Sequence, residues 1–330
     1  MTSLVTGASG FLGGRLTQVL VEQGEPVRVL ARRRSDLRHL ENLPIEVAWG
    51  NLEDIESIRQ AAARCNVIYH CAGAATDWAD WSTYHTANVV GVQNIVDTVA
   101  RVETLERLVH ISTSDVYGYP VRACDETNPL TDVGLPYNRS KIMGERIVWE
   151  ASRGGLPVTI LRPATIYGPR SKDFVFAIAA LIMKSQMILT NGGRARAGLA
   201  YVDNAVDCII RAAHAPHALG QAYNVRDEGD ETWRRYVDTL AETLGKPAPR
   251  LSVPSGLAFI LARLFERTYR TLRLKGRPLL TRHAVLVLCR DQGYSIAKAQ
   301  RELDFTSKVA FEEGVRRSTD WFLAAAHTIG

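Results

Sequence analysis

Short apolar runs recur along the first half of this chain, each separated from the next by a stretch with helical spacing. The runs are Ser3–Thr6, Val27–Leu30, Ile45–Ala48, Val67–His70, Arg107–Ser112 and Thr159–Arg162. Amphipathic segments lie between them: one after Thr6 that runs to about Gln23, where Gly24 stops it, and others around Ile55–Arg64, from Asn88 toward Arg101, and over 138–150. Strands alternating with helices at this spacing predict an α/β fold with a mostly parallel, doubly wound sheet. Thr76–His85, with Trp78, Trp81, Tyr84 and His85, reads as an aromatic-rich loop, either a cleft wall or packing on the domain edge. His85 has no partner that the sequence identifies.

Beyond residue 170 the regularity loosens. Phe174–Met187 reads as an apolar helix, Tyr201–Asp203 as a short strand and Asn204–Ala213 as a helix. Tyr223–Val225 reads as a strand and Thr232–Leu244 as a helix, ahead of the proline-rich Lys246–Pro254. These pieces are too short and interleaved to bury a core of their own. Residues 171–330 are therefore expected to form a smaller lobe over the carboxyl edge of a core spanning 1–170, without folding independently.

The first candidate chemistry follows the first strand, at Gly7-Ala8-Ser9-Gly10-Phe11-Leu12-Gly13. Glycines at this spacing let the backbone turn tightly and approach a pyrophosphate, which then sits over the unpaired N–H groups at the helix start. Gly7, Ser9, Gly10, Phe11, Leu12 and Gly13 are thus candidate dinucleotide ligands. The end of the second strand bears on which dinucleotide. An acidic residue there bonds the ribose 2′-hydroxyl of NAD, whereas arginine accommodates a 2′-phosphate. Arg32, Arg33 and Arg34 follow Ala31, and no carboxylate comes before Asp36. NADP(H) is favoured through Arg32 and Arg33, and NAD(H) stays open. Small residues at Ala72 and Gly73 leave room for the adenosine half.

The second candidate site is Tyr137-Asn138-Arg139-Ser140-Lys141, with Ser112-Thr113-Ser114 upstream at the end of a strand. On a helix, Tyr137 and Lys141 share a face. An ammonium about 5 Å from a phenol stabilises the phenolate by roughly 3 kcal/mol, which predicts a Tyr137 lowered toward about 8. Thr113 is placed to hold a substrate oxygen beside it.

Composition narrows the setting. The chain has 330 residues, 46% hydrophobic and 23% charged, with a net charge of +5. Five cysteines without Cys-x-x-Cys or paired histidine spacing signal neither a disulfide framework nor a metal site, and a reducing compartment fits best. The first strand begins at Ser3, leaving no room for a leader, and no apolar run approaches the ~18 residues of a membrane span. A cytoplasmic protein without a nucleic-acid partner is expected.

Taken together, these motifs resemble an extended short-chain dehydrogenase/reductase of the NAD-dependent epimerase/dehydratase superfamily. The resemblance rests on Thr6-Gly7-x-x-Gly10-x-x-Gly13, Asn51-Leu52, Asn88-x-x-Gly91 and Thr113 before Val116-Tyr117-Gly118. It continues through Tyr137-x-x-x-Lys141, Arg162-Pro163-x-x-Ile166-Tyr167-Gly168-Pro169 and Tyr201-Val202-Asp203-Asn204. It implies a Rossmann-type fold with Tyr137 as acid–base residue, Lys141 as its activator and ribose ligand, and Thr113 on the reacting oxygen. It further implies that Pro163 and Ile166 lie near the nicotinamide, Asn51 and Leu52 near the adenine, and Asn88 among the cofactor contacts. Asn51 stands where the family often has aspartate, a mild departure. Sugar-nucleotide dehydratases carry Thr-Asp-Glu where this chain has Thr113-Ser114-Asp115, so that chemistry is disfavoured. A nucleotide-sugar epimerase stays as the alternative, with Arg194 and Arg196 able to replace that subfamily's pyrophosphate-gripping arginine. A non-catalytic NADP-binding regulator is a third reading, opposed by the intact Thr113, Tyr137 and Lys141.

The C-terminal third is similar to the 3β-hydroxysteroid dehydrogenase branch, through Pro278-Leu279-Leu280-Thr281-Arg282, Tyr294-Ser295-Ile296-x-Lys298-Ala299, Glu312-Glu313-Gly314 and Trp321. That implies a hydrophobic substrate, steroid-like or a long-chain 3-keto or 3-hydroxy compound. The family also allows a homodimer through helices around 90–101 and 138–150. Residues 255–277 mix leucines and phenylalanines with arginines, which suits either peripheral contact with an anionic membrane or a lid whose arginines are solvated.

Overall fold

The six apolar runs become β1 (Ser3–Thr6), β2 (Val27–Ala31), β3 (Ile45–Trp49), β4 (Val67–His70), β5 (Arg107–Ile111) and β6 (Val158–Pro163) in this computed structural model, which describes residues 1–121 and 124–329. Three short strands follow, β7 (Thr165–Tyr167), β8 (Leu189–Thr190) and β9 (Leu199–Tyr201), then β10 (Gln221–Val225) and β11 (Ser252–Val253). The main sheet has seven strands in the order β10-β6-β5-β4-β1-β2-β3. Every pairing within it is parallel.

Helices on both faces explain why the strands read as mainly apolar runs. On one face the helices Ile55–Ala62, Gly91–Val99 and Pro136–Arg153 bury Ile58, Ile95 and Val148 against Leu4, Ile68 and Leu108. On the other, Phe11–Glu22, Val202–His214 and Ala297–Leu303 bury Leu16, Ile209 and Ala299 against Val5, Val29 and Tyr69. A strand covered on both sides loses its polar alternation. Each fully buried aliphatic side chain contributes about 1.5–3 kcal/mol.

Several elements differ from the sequence reading. Trp81–His85 is helical and continues through a wider turn at Thr86–Val90 into Gly91–Val99, so part of the aromatic loop belongs to that helix. The predicted helix over Phe174–Met187 is a wide turn, Lys172–Ala177, followed by a short helix, Ile178–Met183. The strand before Asn204 lies two residues earlier, at Leu199–Tyr201, where it pairs with β7.

A further cluster lies mainly in the second half but draws on Tyr167 and, at its edge, Phe11, Leu12 and Ile166 from the first. Tyr167, Ile178, Trp233, Tyr236, Val315 and Phe322 meet there, with Trp233 and Tyr236 fully buried. The sequence hid this core because its members come from elements far apart in the chain, none of them long enough to show the pattern alone. The halves are nevertheless interleaved, since β10 and the helix Val202–His214 complete the first half's sheet.

Candidate active site

Winding in this sheet reverses between β1 and β4, and open parallel sheets bind ligands at the carboxyl ends beside such a point. A cleft of about 1620 Å³ lies there. Gly7, with φ of 77°, turns the chain out of β1. A Cβ at Gly7 would lie 2.7 Å from the Ala72 nitrogen, and one at Gly13 would lie 2.5 Å from the Gly7 oxygen. Gly14 N–H bonds back to the Gly10 oxygen at 3.2 Å. The amides of Phe11, Leu12 and Gly13 thus have no acceptor within their own helix. All three residues line the cleft, as do Ser9 and Gly10. Free amides above a backbone that only glycine permits fit a pyrophosphate. Arg170, which the sequence reading missed, reaches the same end and donates to the Ser9 oxygen at 3.4 Å.

The neighbouring walls are built from backbone turns held by side chains. Asn51 Oδ1 accepts from the amides of Glu53 at 2.7 Å and Asp54 at 3.1 Å, the work an aspartate would do, and Leu52 sits beside it in the cleft. Asn88 spends its amide on the protein. Its Oδ1 accepts from Ala74 N–H at 2.8 Å, and its Nδ2 donates to the Ala74 oxygen at 3.1 Å and to Ser140 Oγ at 2.9 Å. Ser140 donates in turn to the Tyr137 carbonyl at 2.8 Å. Asn88 therefore joins the Ala72-Gly73 wall to the helix turn that carries Tyr137.

Of the arginines after β2, Arg32 and Arg34 line the cleft, and Arg33 does not. Ser35 N–H bonds to the Arg32 oxygen at 2.8 Å, folding 32–35 into a turn with Arg33 at its outer corner. Arg32 and Arg34 have no ion-pair partner among the described residues, whereas Asp36 is taken up by Arg38 at 2.7 Å.

Tyr137 lies in the first turn of Pro136–Arg153, where Pro136 costs no hydrogen bond. The Thr113 side chain lines the cleft with it and favours the ionised phenol, and Pro163 and Ile166 line the cleft nearby. The predicted lowering of this phenol is corrected. Burial first, and then the charge of Asp115, push Tyr137 well above its usual value, with only Thr113 opposing. The Lys141 ammonium donates to the Ile111 oxygen at 2.7 Å. Burial brings Lys141 itself down to about 8, against the opposing charges of Glu145, Cys71 and Asp115.

A second group missed by the sequence reading is His283, from the helix Arg282–Cys289. Its ring stacks on Tyr137, with centroids 5.4 Å apart and planes 26° apart. Its Nε2 meets Asp115 Oδ2 at 2.8 Å, and its Nδ1 is buried without a partner among the described residues. Although burial opposes it, the bond and charge of Asp115, then the charge of Asp77, raise His283 above its ordinary value. Asp77 itself accepts from Arg277 and from Thr281 Oγ1, each at 2.6 Å. Two carboxylates of the sheet half thus hold the segment Arg277–His283 over the catalytic end. A lone histidine beside Val285-Leu286-Val287-Leu288 was the one available signal.

The lobe side of the cleft is apolar, with Leu181, Ile188, Phe265, Leu280 and Val287 among its walls. Arg194 and Arg196 do not line it. Arg196 is paired with Asp291 at 2.8 Å and Asp230 at 3.3 Å. The pyrophosphate grip considered for a sugar-nucleotide substrate is therefore not made by these two residues.

A model of the NAD-dependent epimerase/dehydratase family matches residues 3–225. Along almost its whole length the chain is similar to a 2-alkyl-3-oxoalkanoate reductase of Stenotrophomonas maltophilia, at 32% identity over 96% of this chain and 98% of the relative. It is similar to a 4-hydroxy-2-methyl-3-oxo-4-farnesyl-3,4-dihydroquinoline-1-oxide ketoreductase of Stigmatella aurantiaca, at 30% over 96% and 95%. It also resembles sterol demethylase protein B of Methylococcus capsulatus, at 32% over 98% and 98%. An epimerase from Methanothermobacter thermautotrophicus shares the fold, with a TM-score of 0.83 at 21% identity over 99% of this chain and 94% of that one.

Proposed function

Since this chain belongs to the NAD-dependent epimerase/dehydratase family and is an NAD(P)-dependent oxidoreductase, we propose that it interconverts a secondary alcohol and a ketone on an apolar substrate. The observation that carries this reading is that Thr113 and Tyr137 line one cleft with a wall of leucine, isoleucine and phenylalanine side chains. The three relatives, named for an oxoalkanoate, a farnesylated quinoline oxide and a sterol, support a hydrophobic substrate, steroid-like or long-chain. A nucleotide-sugar epimerase would need a polar grip, for which Arg196 is already committed.

The bound dinucleotide supplies or accepts the hydride. In the reduction direction Thr113 donates a hydrogen bond to the substrate oxygen, and Tyr137 gives it a proton as negative charge develops there. A phenol held above its usual value is fully protonated at neutral pH, which suits a proton donor. Lys141 would hold the ribose of the bound dinucleotide. The amides of Phe11, Leu12 and Gly13 would hold the pyrophosphate, Asn51 and Leu52 the adenine, and Pro163 and Ile166 the nicotinamide side. Unpaired Arg32 and Arg34 favour NADP(H) over NAD(H). Among the described residues no helix is long and apolar enough to cross a membrane. We further propose a cytoplasmic enzyme, in keeping with five unpaired cysteines. A homodimer through the helices near 90–101 and 138–150 belongs to the same reading.

Reduced-nicotinamide absorbance tests the assignment. A 3β-hydroxysteroid, a long-chain 3-hydroxy acid and a UDP-hexose are offered with NADP⁺ and NAD⁺ separately. A net rise with an apolar alcohol, faster with NADP⁺, is the expected result. A new hexose isomer without net cofactor change would transfer the assignment to the epimerase.

His283 is a positioning residue in this scheme, held by Asp115 and steadying the Tyr137 ring by stacking on it. Because its folded value is raised, the pair's contribution is fully present below the ordinary histidine value of ~6.5 and is lost as pH rises through the folded value. The gap in thermal midpoint between wild type and His283→Gln is therefore expected to be widest below pH ~6.5 and to close above it. A gap constant from pH 5.5 to 9.5 would contradict the charged pair.

A further inference from the structure

We propose that the helix Ser255–Thr271 and the segment to Leu279 dock this protein onto an anionic lipid surface, with the cleft mouth opening toward the bilayer. The first observation is electrostatic. Residues 255–277 hold Arg263, Arg267, Arg270, Arg273, Lys275 and Arg277 against a single acid, Glu266, for a net +5. The whole chain is also +5, with 40 basic and 35 acidic residues, so the remaining residues sum to neutrality. The one acid is buried and paired with Arg282 at 2.7 Å, so it does not offset the surface.

The second observation is geometric. Ala258, Ala262 and Glu266 face inward, the alanines packing with Val285. Leu257, Ile260 and Leu264 form the opposite ridge and are 46%, 66% and 57% exposed. Leu272, Leu274 and Leu279 extend it, Leu279 at 81%. At 3.6 residues per turn, Arg263, Arg267 and Arg270 fall along one flank of this ridge, while Leu261 and Phe265 fall along the other. Leu261 and Phe265 line the cleft, as do Leu279 and Arg277. One flank thus carries positive charge and the other is the rim of the substrate site.

An apolar ridge beside arginines fits the boundary between headgroups and acyl chains, where the ridge enters the hydrocarbon and the guanidinium groups meet phosphates. A purely apolar protein partner would leave this one-sided charge unanswered. Docking rests on the surface alone. The claim that the substrate is a membrane-dissolved ketone or alcohol, entering between the ridge and Phe265, rests in addition on the oxidoreductase reading above.

The test is flotation of the full chain with phosphatidylglycerol/phosphatidylcholine vesicles and with phosphatidylcholine alone, read without substrate. Binding to the anionic vesicles, weakened by salt, is expected. Arg267→Glu with Arg273→Glu should lower the affinity by on the order of 30-fold or more, and Ile260→Asp with Leu264→Asp should abolish it. None of these four residues lines the cleft, so turnover of a short water-soluble ketone serves as the folding control. Equal binding to both vesicle types, or variants that bind as wild type, would overturn the proposal. So would a concentration-dependent dimer that the aspartate variant dissociates, without vesicle binding. If vesicles bind yet every ketone is inert, docking stands and the catalytic reading fails. If docking is sound, a sterol or long-chain ketone embedded in anionic vesicles turns over faster with wild type than with the arginine variant, at equal rates on the soluble ketone.

Discussion

Tyr137→Phe is expected to lower turnover by about 10²–10⁴-fold, equivalent to roughly 3–5 kcal/mol of barrier. The substitution removes one oxygen. The ring remains, with its stacking on His283, so the Arg277–His283 segment keeps its seat. Cofactor affinity should change little, because the glycine turn and the walls at Asn51 and Ala72 are untouched. Single-turnover absorbance with saturating cofactor, alongside cofactor titration by fluorescence, separates the two quantities. A rate within a few-fold of wild type would remove Tyr137 from the chemistry. A large loss of cofactor affinity with an unchanged chemical step would make the residue a binding group instead. Asp115 sharpens the expectation, since its charge helps keep the phenol protonated. The variant therefore loses a donor already loaded with its proton.

Arg162→Met is expected to destabilise the fold by about 3–5 kcal/mol, because it strands a buried carboxylate. Arg162 and Glu145 are 4% and 0% exposed and meet at 2.5 Å. Glu145 also accepts from Ser112 Oγ at 2.5 Å and Trp149 Nε1 at 3.0 Å, and Arg162 donates to the Tyr117 hydroxyl at 2.7 Å. This network ties β5 and β6 to the helix bearing Tyr137 and Lys141, directly behind the catalytic end of the sheet. Urea unfolding at neutral pH gives the loss. Adding Glu145→Leu should restore part of it by removing the unpaired charge, while Ser112, Trp149 and Tyr117 still lack their partners. A single variant as stable as wild type, or a double variant worse than the sum of the two singles, would contradict the account.

What the sequence revealed had local causes. The glycine turn is legible because three glycines, a strand and a helix follow one another without a gap. Tyr137 and Lys141 are legible because helical geometry fixes four residues apart as neighbours. Thr113 is legible because strand ends are where such sheets place their chemistry. What stayed hidden depends on contacts across the chain. His283 reaches Tyr137 only because Asp115 and Asp77 hold a distant segment over it. Asp115 drew notice only as the end of the Thr113-Ser114-Asp115 run that departs from the dehydratase pattern, although its charge acts on both Tyr137 and His283. The direction of the Tyr137 shift could not be read from its spacing to Lys141, since it turned on burial and the charge of Asp115. Arg33 was separated from Arg32 and Arg34 by one turn hydrogen bond.

The placement of β10 at the edge of the sheet has a consequence for how the protein is made. Residues through Pro163 supply β1 to β6, but β6, paired with β5 on one edge, lacks its outer neighbour until Val225 has been synthesised. The helix Val202–His214, which covers one face, arrives in the same interval, and Arg107 finds the Ala212 and Ala215 carbonyls only then. At about 5–20 residues per second, the ribosome needs roughly 3–12 s to pass from Pro163 to Val225. Throughout that time an apolar sheet face and an open strand edge stand exposed on a nascent chain, so the yield of this enzyme in a cell will depend on holdase occupancy and on codon speed between those two points.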